Sequence, residues 1–181
     1  RQGVTAMIPE IRNILYATDL TKNSAFAFRY AVNAAEQNDA KVHILHVLEK
    51  LTPSEEANLA VWYPSLSHPQ LEKIRQEKKK ELVERIDKRL TEFARREFQD
   101  NPEALKRVAS ILVIDGDPAE EILKKAEELK CDLIVMGTHG KGLVSHTFLG
   151  SVSEKVLHRA RKPVFIVPIP KENINLSFLD I

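Results

Sequence analysis

The sequence predicts an α/β fold: a doubly wound, five-stranded parallel sheet with helices on both faces. Two observations predict it. Short runs such as NILYA are apolar at almost every position, which is typical of strands buried on both faces. Segments with helical periodicity separate these runs, and a helix between two strands allows them to pair in parallel through a right-handed crossover. We therefore expect a Rossmann-like domain.

Local signals bound the individual elements. The first strand leads into TDLTKNS, which offers several N-cap residues for the first helix, and Asn38-Asp39 closes that helix. Asp117, Pro118 and Glu120 have the form of an N-cap, an N1 proline and an N3 glutamate. In chain order, we predict strands at 13–17, 41–47, 108–115, 132–138 and 163–169, and helices at 25–37, 70–98, 120–130 and 151–160.

The segment at 48–98 is an extension of the domain. Its first part, 48–69, contains three prolines and the aromatic pair Trp62-Tyr63, which predicts a long loop with room for one short helix at 54–60. The helix at 70–98 places its apolar residues on one stripe, with charged residues elsewhere. The predicted stripe comprises Leu71, Ile74, Leu82, Ile86, Leu90, Phe93 and Phe98.

Size and composition favour a single domain, which we place at 1–170, followed by a C-terminal tail at 171–181. The net charge of +1 does not favour nucleic-acid binding. A single cysteine, Cys131, indicates a reducing compartment. No apolar run approaches the roughly 20 residues that span a bilayer, and the amino-terminal run lacks the apolar core of a signal peptide. We therefore expect a cytoplasmic protein that binds neither nucleic acid nor membrane.

The other candidate reactive residues have simple structural interpretations. His43 and His46 share one predicted strand, but no cysteine or carboxylate cluster accompanies them. The sequence therefore predicts no metal site formed by the protein alone. Cys131 opens a predicted strand, where a lone thiol usually packs as a small hydrophobic side chain.

The candidate ligand site lies at the ends of three predicted strands, at 17–19, 46–47 and 136–138. In a doubly wound sheet, the ligand binds beyond the carboxyl ends of the strands, at the point where the strand order reverses. The sequence therefore predicts that these three strand ends come together around one ligand.

A glycine-rich stretch, MGTHGKGLVSHTFLGSVSEK, contains four of the six glycines of the chain. Gly137 and Gly140 can bend the backbone so that successive N–H groups form an anion-binding concavity. Gly150-Ser151 marks a helix start that favours a phosphate, and Ser151 and Ser153 can add hydroxyl donors. The glycine spacing alone is explained equally well by a tight strand-to-helix turn and a break between helices. Neither GxGxxG nor GxxxxGK[ST] is present at this stretch.

The stretch resembles the motif of a known family. Gly137-x-x-Gly140, nine residues and then Gly150-Ser151 match G-2x-G-9x-G-(S/T), the ATP-binding motif of the universal stress protein family. The runs ILYATDLTKNSAFAFRYA, VHILHVLE, GDPAEEILKKAEE and SVSEKVLHRARKPVFIVP also resemble segments of that family. The resemblance covers residues 11–168 and implies an adenine nucleotide alpha hydrolase-like fold.

The resemblance implies an adenine nucleotide site. Asp19 matches the family aspartate near the ribose and phosphates, Ala17 the residue at the mouth of the adenine site, and Val47 the residue whose backbone contacts the adenine edge. A ribose hydroxyl or a magnesium ion would explain the carboxylate, and a helix N-cap is the alternative role for Asp19. The remaining implied positions are Met136, Gly137, Gly140, Gly150 and Ser151, flanked by His139, Lys141, Val152 and Ser153.

The implied function is that of an ATP-binding protein, with Mg²⁺, in a regulatory or nucleotide-sensing role in the stress response. We expect at most slow hydrolysis and assign no catalytic residue, since the loop offers no arginine or evident general base. Two alternatives stay open: a nucleotide-hydrolysing enzyme on the same fold, and a nucleotide-free interaction module. We expect a homodimer through the last strand, PVFIVPI, because an apolar edge strand needs a cover.

Overall fold

A computed structural model of the chain describes residues 9–49, 68–97, 102–138 and 149–168. These residues form five strands and five helices within the described ranges. The strands are β1 (Asn13–Ala17), β2 (Lys41–Glu49), β3 (Val108–Gly116), β4 (Leu133–Gly137) and β5 (Val164–Val167). The helices are α1 (Lys22–Asn38), α2 (His68–Glu97), α3 (Pro102–Leu105), α4 (Pro118–Glu128) and α5 (Ser151–Arg159).

The five strands form one parallel sheet in the order β3-β2-β1-β4-β5. The chain builds outward from β1 through β2 to β3, and then returns to place β4 and β5 on the other side of β1. The strand order therefore reverses between β1 and β4, with the carboxyl ends of both strands at the same edge. The predicted fold class is confirmed.

Alternate side chains of the strands point to opposite faces and form two hydrophobic cores. On one face, Ile14 and Tyr16 pack in a core that includes residues of α1 and α2. On the other face, Leu15 and Ile134 pack in a core with residues of α4 and α5. Burial on both faces explains why the strand sequences are apolar throughout rather than alternating.

The helix termini follow the local capping signals. The side chain of Thr21 accepts a hydrogen bond from the Ser24 amide and caps α1, and Asp39 closes that helix with φ of 52°. Asp117 caps α4, its side chain accepting from the Glu120 amide, and Pro118 occupies the first turn, as the sequence predicts. No described helix is long and apolar enough to cross a membrane.

Several boundaries differ from the predictions. Helix α1 begins at Lys22 rather than Ala25, because Thr21 is the cap. Strand β2 continues beyond the predicted 41–47 to Glu49, because its last residues pair with β3. The short helix α3 is not predicted. Residues 50–67 of the loop predicted at 48–69, with its short helix at 54–60, and the predicted tail at 171–181 lie outside the described residues. The loop prediction is wrong at its two ends, since Leu48 and Glu49 belong to β2 and His68 and Pro69 to α2.

The apolar stripe of α2 is buried over only part of its predicted length. Ile86, Leu90 and Phe93 are buried in the core, where the Phe93 ring lies 5.2 Å from that of Phe28. Ile74 is 38% exposed, so the apolar stripe is not buried at that position, and Phe98 lies outside the described residues. Periodicity identifies the apolar face of a helix, but it does not state how far along the helix the sheet provides a partner.

Candidate functional site

A cavity of about 530 Å³ lies at the carboxyl ends of β1, β2 and β4, next to the amino-terminal turns of α4 and α5. This is where the strand order reverses, and its volume is within the range of small-molecule sites. The described residues that line it are Ala17, Thr18, Asp19, Ser24, Leu45, His46, Val47, Leu48, Glu49, Pro118, Ile122, Met136, Gly137, Gly150, Ser151, Val152 and Ser153.

Nine of the twelve residues predicted to bind a ligand line this cavity. They come from the ends of three strands and the start of one helix, up to 136 positions apart in the chain. These nine are Ala17, Asp19, Val47, Met136, Gly137, Gly150, Ser151, Val152 and Ser153. The other three, His139, Gly140 and Lys141, lie outside the described residues.

The carboxylate of Asp19 has two differently bonded oxygens. Its Oδ1 accepts hydrogen bonds from the Thr21 amide at 3.1 Å and from the Thr21 hydroxyl at 2.7 Å. Its Oδ2 is buried and has no hydrogen-bond partner among the described residues. A buried carboxylate oxygen without a partner is costly unless something else binds it. The alternative role of Asp19 as the helix N-cap is wrong, since Thr21 caps α1.

The turn that carries Asp19 is held by hydrogen bonds on both sides. The Thr18 hydroxyl lies 2.8 Å from the Ser24 hydroxyl and accepts a bond from the Leu20 amide at 3.1 Å. Leu20 has φ of 66°, in the left-handed region that costs about 1 kcal/mol or more for a residue with a side chain. Surrounding contacts must therefore maintain this turn, which fixes where the Asp19 carboxylate lies.

The amino terminus of α5 is not capped by a side chain. Gly150 occupies the N-cap position with φ of −64° and ψ of 149° and makes no side-chain cap hydrogen bond. Because the first amides of a helix have no partner within the helix, this end is suited to an anion. Ser151, the first residue of the helix, is exposed and lines the cavity.

The Ser153 hydroxyl has a structural role that the sequence does not reveal. It donates to the Gly137 carbonyl at 2.9 Å and so fixes α5 to the end of β4. In this arrangement the Gly137 carbonyl takes the single proton that the Ser153 hydroxyl can donate, so donation from Ser153 to a ligand stays a prediction that requires this bond to break. Ser151 remains as the predicted hydroxyl donor.

One wall of the cavity is apolar. Leu45 and Met136 belong to the core on the α4 side of the sheet, as do Ala17 and Ile122, and Val47 packs against them. An apolar wall next to a helix terminus that favours anions suits an amphipathic ligand, with a flat apolar part and a negatively charged part.

Comparison with known proteins identifies the family. The family model of the universal stress protein family matches residues 10–168. The chain belongs to the universal stress protein family. Universal stress protein MJ0577 of Methanocaldococcus jannaschii is 30% identical over 158 residues, which cover 86% of this chain and 94% of that protein.

Solved structures agree on the fold. The structure of the hypothetical protein MJ0577, whose biochemical function was assigned from its structure, has a TM-score of 0.63 at 26% identity, covering 91% of this chain and all of that one. A universal stress protein solved in complex with cAMP has a TM-score of 0.50 at 21% identity and covers 90% of this chain and 100% of that one. At 21% identity, the second likeness shows the fold alone.

The sequence does not identify every residue of the site in this universal stress protein. Pro118 and Ile122 line the cavity from α4. They could have been expected, because α4 follows β3 and therefore begins at the same edge of the sheet. Ser24, His46 and Glu49 also line it, but only the strand-end position of His46 signals its place.

Two titratable groups away from the cavity, His43 and Cys131, have pKa values that are shifted mainly by burial. Burial, and to a lesser extent Lys41, lowers the pKa of His43, whose Nδ1 lies 2.8 Å from the Ser110 hydroxyl. Burial raises the pKa of Cys131 to about 12, which keeps the thiol protonated and unreactive at neutral pH. No group of three or more potential metal ligands occurs within the described residues of this universal stress protein.

Proposed function

We propose that this universal stress protein binds an adenine nucleotide, ATP with Mg²⁺, in the cavity at the carboxyl ends of β1, β2 and β4. The observation that carries the proposal is the buried Asp19 Oδ2, which has no hydrogen-bond partner among the described residues and belongs to a residue that lines the cavity. A ribose hydroxyl or a hydrated cation supplies what this oxygen lacks.

The ligand is assigned to three parts of the cavity. The phosphates lie at the uncapped amino terminus of α5, with Gly137, Gly150 and Ser151, where helix amides and a hydroxyl bind negative charge. The base lies against the apolar wall that includes Met136. We also assign His139, Gly140 and Lys141 to the phosphates, and Ala17, Val47 and Val152 to the surroundings of the nucleotide.

Magnesium is proposed as a partner of the nucleotide rather than as a permanently bound ion. Mg²⁺ is commonly held by one or two carboxylates together with substrate phosphates. In the described part of the cavity lining, Asp19 and Glu49 are the carboxylates. Because Asp19 Oδ2 has no hydrogen-bond partner among the described residues, we assign the effect of Mg²⁺ on nucleotide binding to Asp19.

Isothermal titration calorimetry with ATP, in the presence and absence of Mg²⁺, tests the proposal. We expect saturable binding at one site per chain and a higher affinity with Mg²⁺. No measurable ATP affinity under either condition would sink the proposal. Since a neighbour of the same fold was solved with cAMP, cAMP and AMP belong in the same titration as competing ligands.

The proposed role is regulatory or nucleotide-sensing, with hydrolysis that is slow at most. Fast phosphoryl transfer usually requires several cationic groups that stabilise the transferred phosphoryl group. The described residues of the cavity lining include no arginine, and Lys141 is the one cationic side chain that we assign to the phosphates. Single-turnover measurement of ADP formation tests this. A rate constant near those of typical kinases, about 1 s⁻¹ or more, would instead support the enzyme alternative.

The second alternative is an interaction module that carries no nucleotide. Protein purified without added nucleotide, denatured by heat and analysed by chromatography tests it. We expect ATP or its breakdown products in the extract. A nucleotide-free extract, together with a flat calorimetric titration, would favour the interaction module.

We also propose a homodimer through β5. This strand lies at an edge of the sheet, and Phe165 on it is 47% exposed; edge strands with apolar side chains need a cover. Light scattering after size-exclusion chromatography should give a dimer for the native chain and a monomer for Phe165→Lys. Ile74→Lys on α2, which is also exposed, is the control and should remain dimeric. A native monomer would contradict the proposal.

A further inference from the structure

The end of β1 is anchored to β2 by a histidine that the proposed function leaves without a role. His46 is 8% exposed and lines the cavity. Its Nδ1 lies 2.8 Å from the carbonyl oxygen of Thr18, the residue immediately before Asp19. A carbonyl oxygen can only accept, so Nδ1 must carry the proton and donate.

Every polar group of Thr18 takes part in a hydrogen bond. Its amide donates to the Leu45 carbonyl at 2.9 Å, its carbonyl accepts from His46, and its hydroxyl accepts from the Leu20 amide. The Ser24 hydroxyl donates to the Thr21 carbonyl at 2.8 Å. Since that uses its one proton, the Thr18 hydroxyl is the donor in its 2.8 Å contact with Ser24.

These bonds have different origins. The amide bond to Leu45 continues the pairing of β1 with β2, and the hydroxyl bonds belong to the start of α1. The bond from His46, by contrast, joins the Thr18 carbonyl, just after β1, to a side chain of β2. The next peptide unit leads to Asp19, and Leu20 follows with its left-handed backbone. A strained turn of this kind needs such external bonds to persist.

We propose that His46 is a positioning residue for nucleotide binding: its Nδ1–H holds the Thr18 carbonyl, and this bond sets the turn that presents the Asp19 carboxylate to the cavity. The inference rests on the proposed function for its consequence in binding. Its structural part, a defined tautomer that orders the turn, is measurable without any nucleotide.

Two substitutions separate the hydrogen bond from the bulk of the ring. In His46→Asn, the amide nitrogen lies the same number of bonds from Cα as Nδ1 and can donate to the Thr18 carbonyl. In His46→Leu, no donor remains, so the buried carbonyl loses a partner. His46→Gln keeps a donor but places it one bond farther from Cα, where it is not in position for the Thr18 carbonyl. This variant replaces His46→Leu if His46→Leu does not fold. His43→Leu, on the same strand but outside the cavity lining, is the matched control.

The first measurements require no nucleotide. Nitrogen-15 NMR of the neutral imidazole should give the Nδ1–H tautomer for His46. Amide exchange of Thr21, whose N–H donates to Asp19 Oδ1, should be roughly tenfold faster in His46→Leu than in the native chain. It should return toward the native rate in His46→Asn and remain native in His43→Leu.

The ATP affinities of the variants should rank in the same way as their Thr21 exchange rates. In calorimetry, the ATP dissociation constant should rise roughly tenfold in His46→Leu, recover most of that loss in His46→Asn, and stay unchanged in His43→Leu. Circular dichroism and urea unfolding confirm that each variant is folded.

Three results would overturn the inference. The first is an Nε2–H tautomer for neutral His46. The second is a Thr21 exchange rate and an ATP dissociation constant that are unchanged in His46→Leu. The third is a His46→Asn variant in which neither quantity returns toward the native value. Failure of the native chain to bind ATP would refute the proposed function instead. The tautomer and the exchange rates would still decide whether His46 orders the turn.

Discussion

The two ends of the sheet each carry an aspartate beside a strand, and the two carboxylates are bonded differently. At the amino end, Asp132 Oδ2 accepts from the amides of Arg12 at 2.8 Å and Asn13 at 3.0 Å. At the carboxyl end, Asp19 uses Oδ1 within its own turn, and its buried Oδ2 has no partner among the described residues. One aspartate joins β4 to β1, and the other keeps an oxygen without a described partner, which the proposed function assigns to the nucleotide.

Ion pairs occur at both ends, since Lys79 pairs with Asp115 at 2.7 Å beside the end of β3, but the uncapped helix start at α5 has no counterpart at the amino end in the part of the chain that the structure describes. At the amino end, Arg107 pairs with Asp39 at 2.9 Å, and Arg12 pairs with Glu10. At the carboxyl end, α5 begins without a side-chain cap. Among the described residues, unused bonding capacity is therefore found at two points of the carboxyl end, Asp19 Oδ2 and the start of α5, whereas Thr21 and Asp117 cap the helices α1 and α4 that start at the same end. Stability and binding should consequently be separable by substitution.

The largest effect is expected from a negative charge at the start of α5. Ser151→Asp should weaken ATP binding roughly a hundredfold, because the carboxylate occupies the helix amides and repels the phosphates. The fold should tolerate the change, since an acidic residue in the first turn of a helix is stabilising. Calorimetry measures the affinity.

The control for Ser151→Asp carries the same charge change at the amino end. Asn38→Asp, at the exposed end of α1, should leave the ATP affinity unchanged. Equal losses in the two variants would indicate a general charge effect and contradict the placement of the phosphates.

Asp19→Asn should separate binding from stability at the carboxyl end. The amide oxygen can still accept from Thr21, but the group in place of Oδ2 becomes a donor and no longer accepts a hydroxyl or binds a cation. The ATP dissociation constant should rise by roughly ten- to a hundredfold. The unfolding free energy in urea should stay within about 0.5 kcal/mol of the native value. Native affinity in this variant would rule out Asp19 as a ligand-binding residue.

Asp132→Ala should give the opposite result at the amino end. Two backbone amides lose their acceptor, so the free energy of unfolding should fall by about 1–3 kcal/mol. The affinity of the folded protein for ATP should not change, because Asp132 does not line the cavity. Urea unfolding and calorimetry on the same preparation provide both numbers. A clear loss of affinity without a loss of stability would contradict the contrast between the two ends.

The smallest effect is expected from His43 of β2, through the pH dependence of the unfolding free energy. Burial lowers the pKa of His43 below its ordinary 6.5, so the unfolded chain takes up a proton first as the pH falls. His43 should therefore lower the stability progressively as the pH falls below about 6.5 toward its depressed folded pKa. Between about pH 7.5 and about pH 5.5, urea unfolding of His43→Asn should show a shallower pH dependence. Identical profiles for native and variant chains would contradict the lowered pKa.

Much of the fold follows from local patterns. The apolar runs predict all five strands, because helices on both faces of a parallel sheet remove the need for polar alternation, although the edge strands β3 and β5 are only partly buried. Asp117-Pro118 predicts the start of α4, because the N-cap bond is formed within a few residues. The errors occur where distant contacts decide: β2 extends to Glu49 through pairing with β3, and Ile74 is exposed beyond the core that buries Ile86.

The candidate site was predictable to the extent that its residues form sequence motifs. Ala17, Asp19 and Val47 lie at the ends of strands predicted from the sequence, and Gly137, Gly150 and Ser151 belong to a spaced motif, so each has a local signal. His46 has a weaker one, because its role depends on a carbonyl 28 positions away in the chain. The use of the Ser153 hydroxyl on α5 also had no signal, since its acceptor is the Gly137 carbonyl at the end of β4.

The sequence by itself determined the strands, the helices, the glycine motif and the resemblance to a family, because periodicity, capping and spacing act over short stretches of chain. Only the tertiary structure decided that Asp19 and the start of α5 line one cavity, and that Asp19 Oδ2 is buried without a described partner while Asp132 is satisfied. The physical reason is that strand order and register bring distant groups together, and the partners that result decide which polar atoms remain for a ligand.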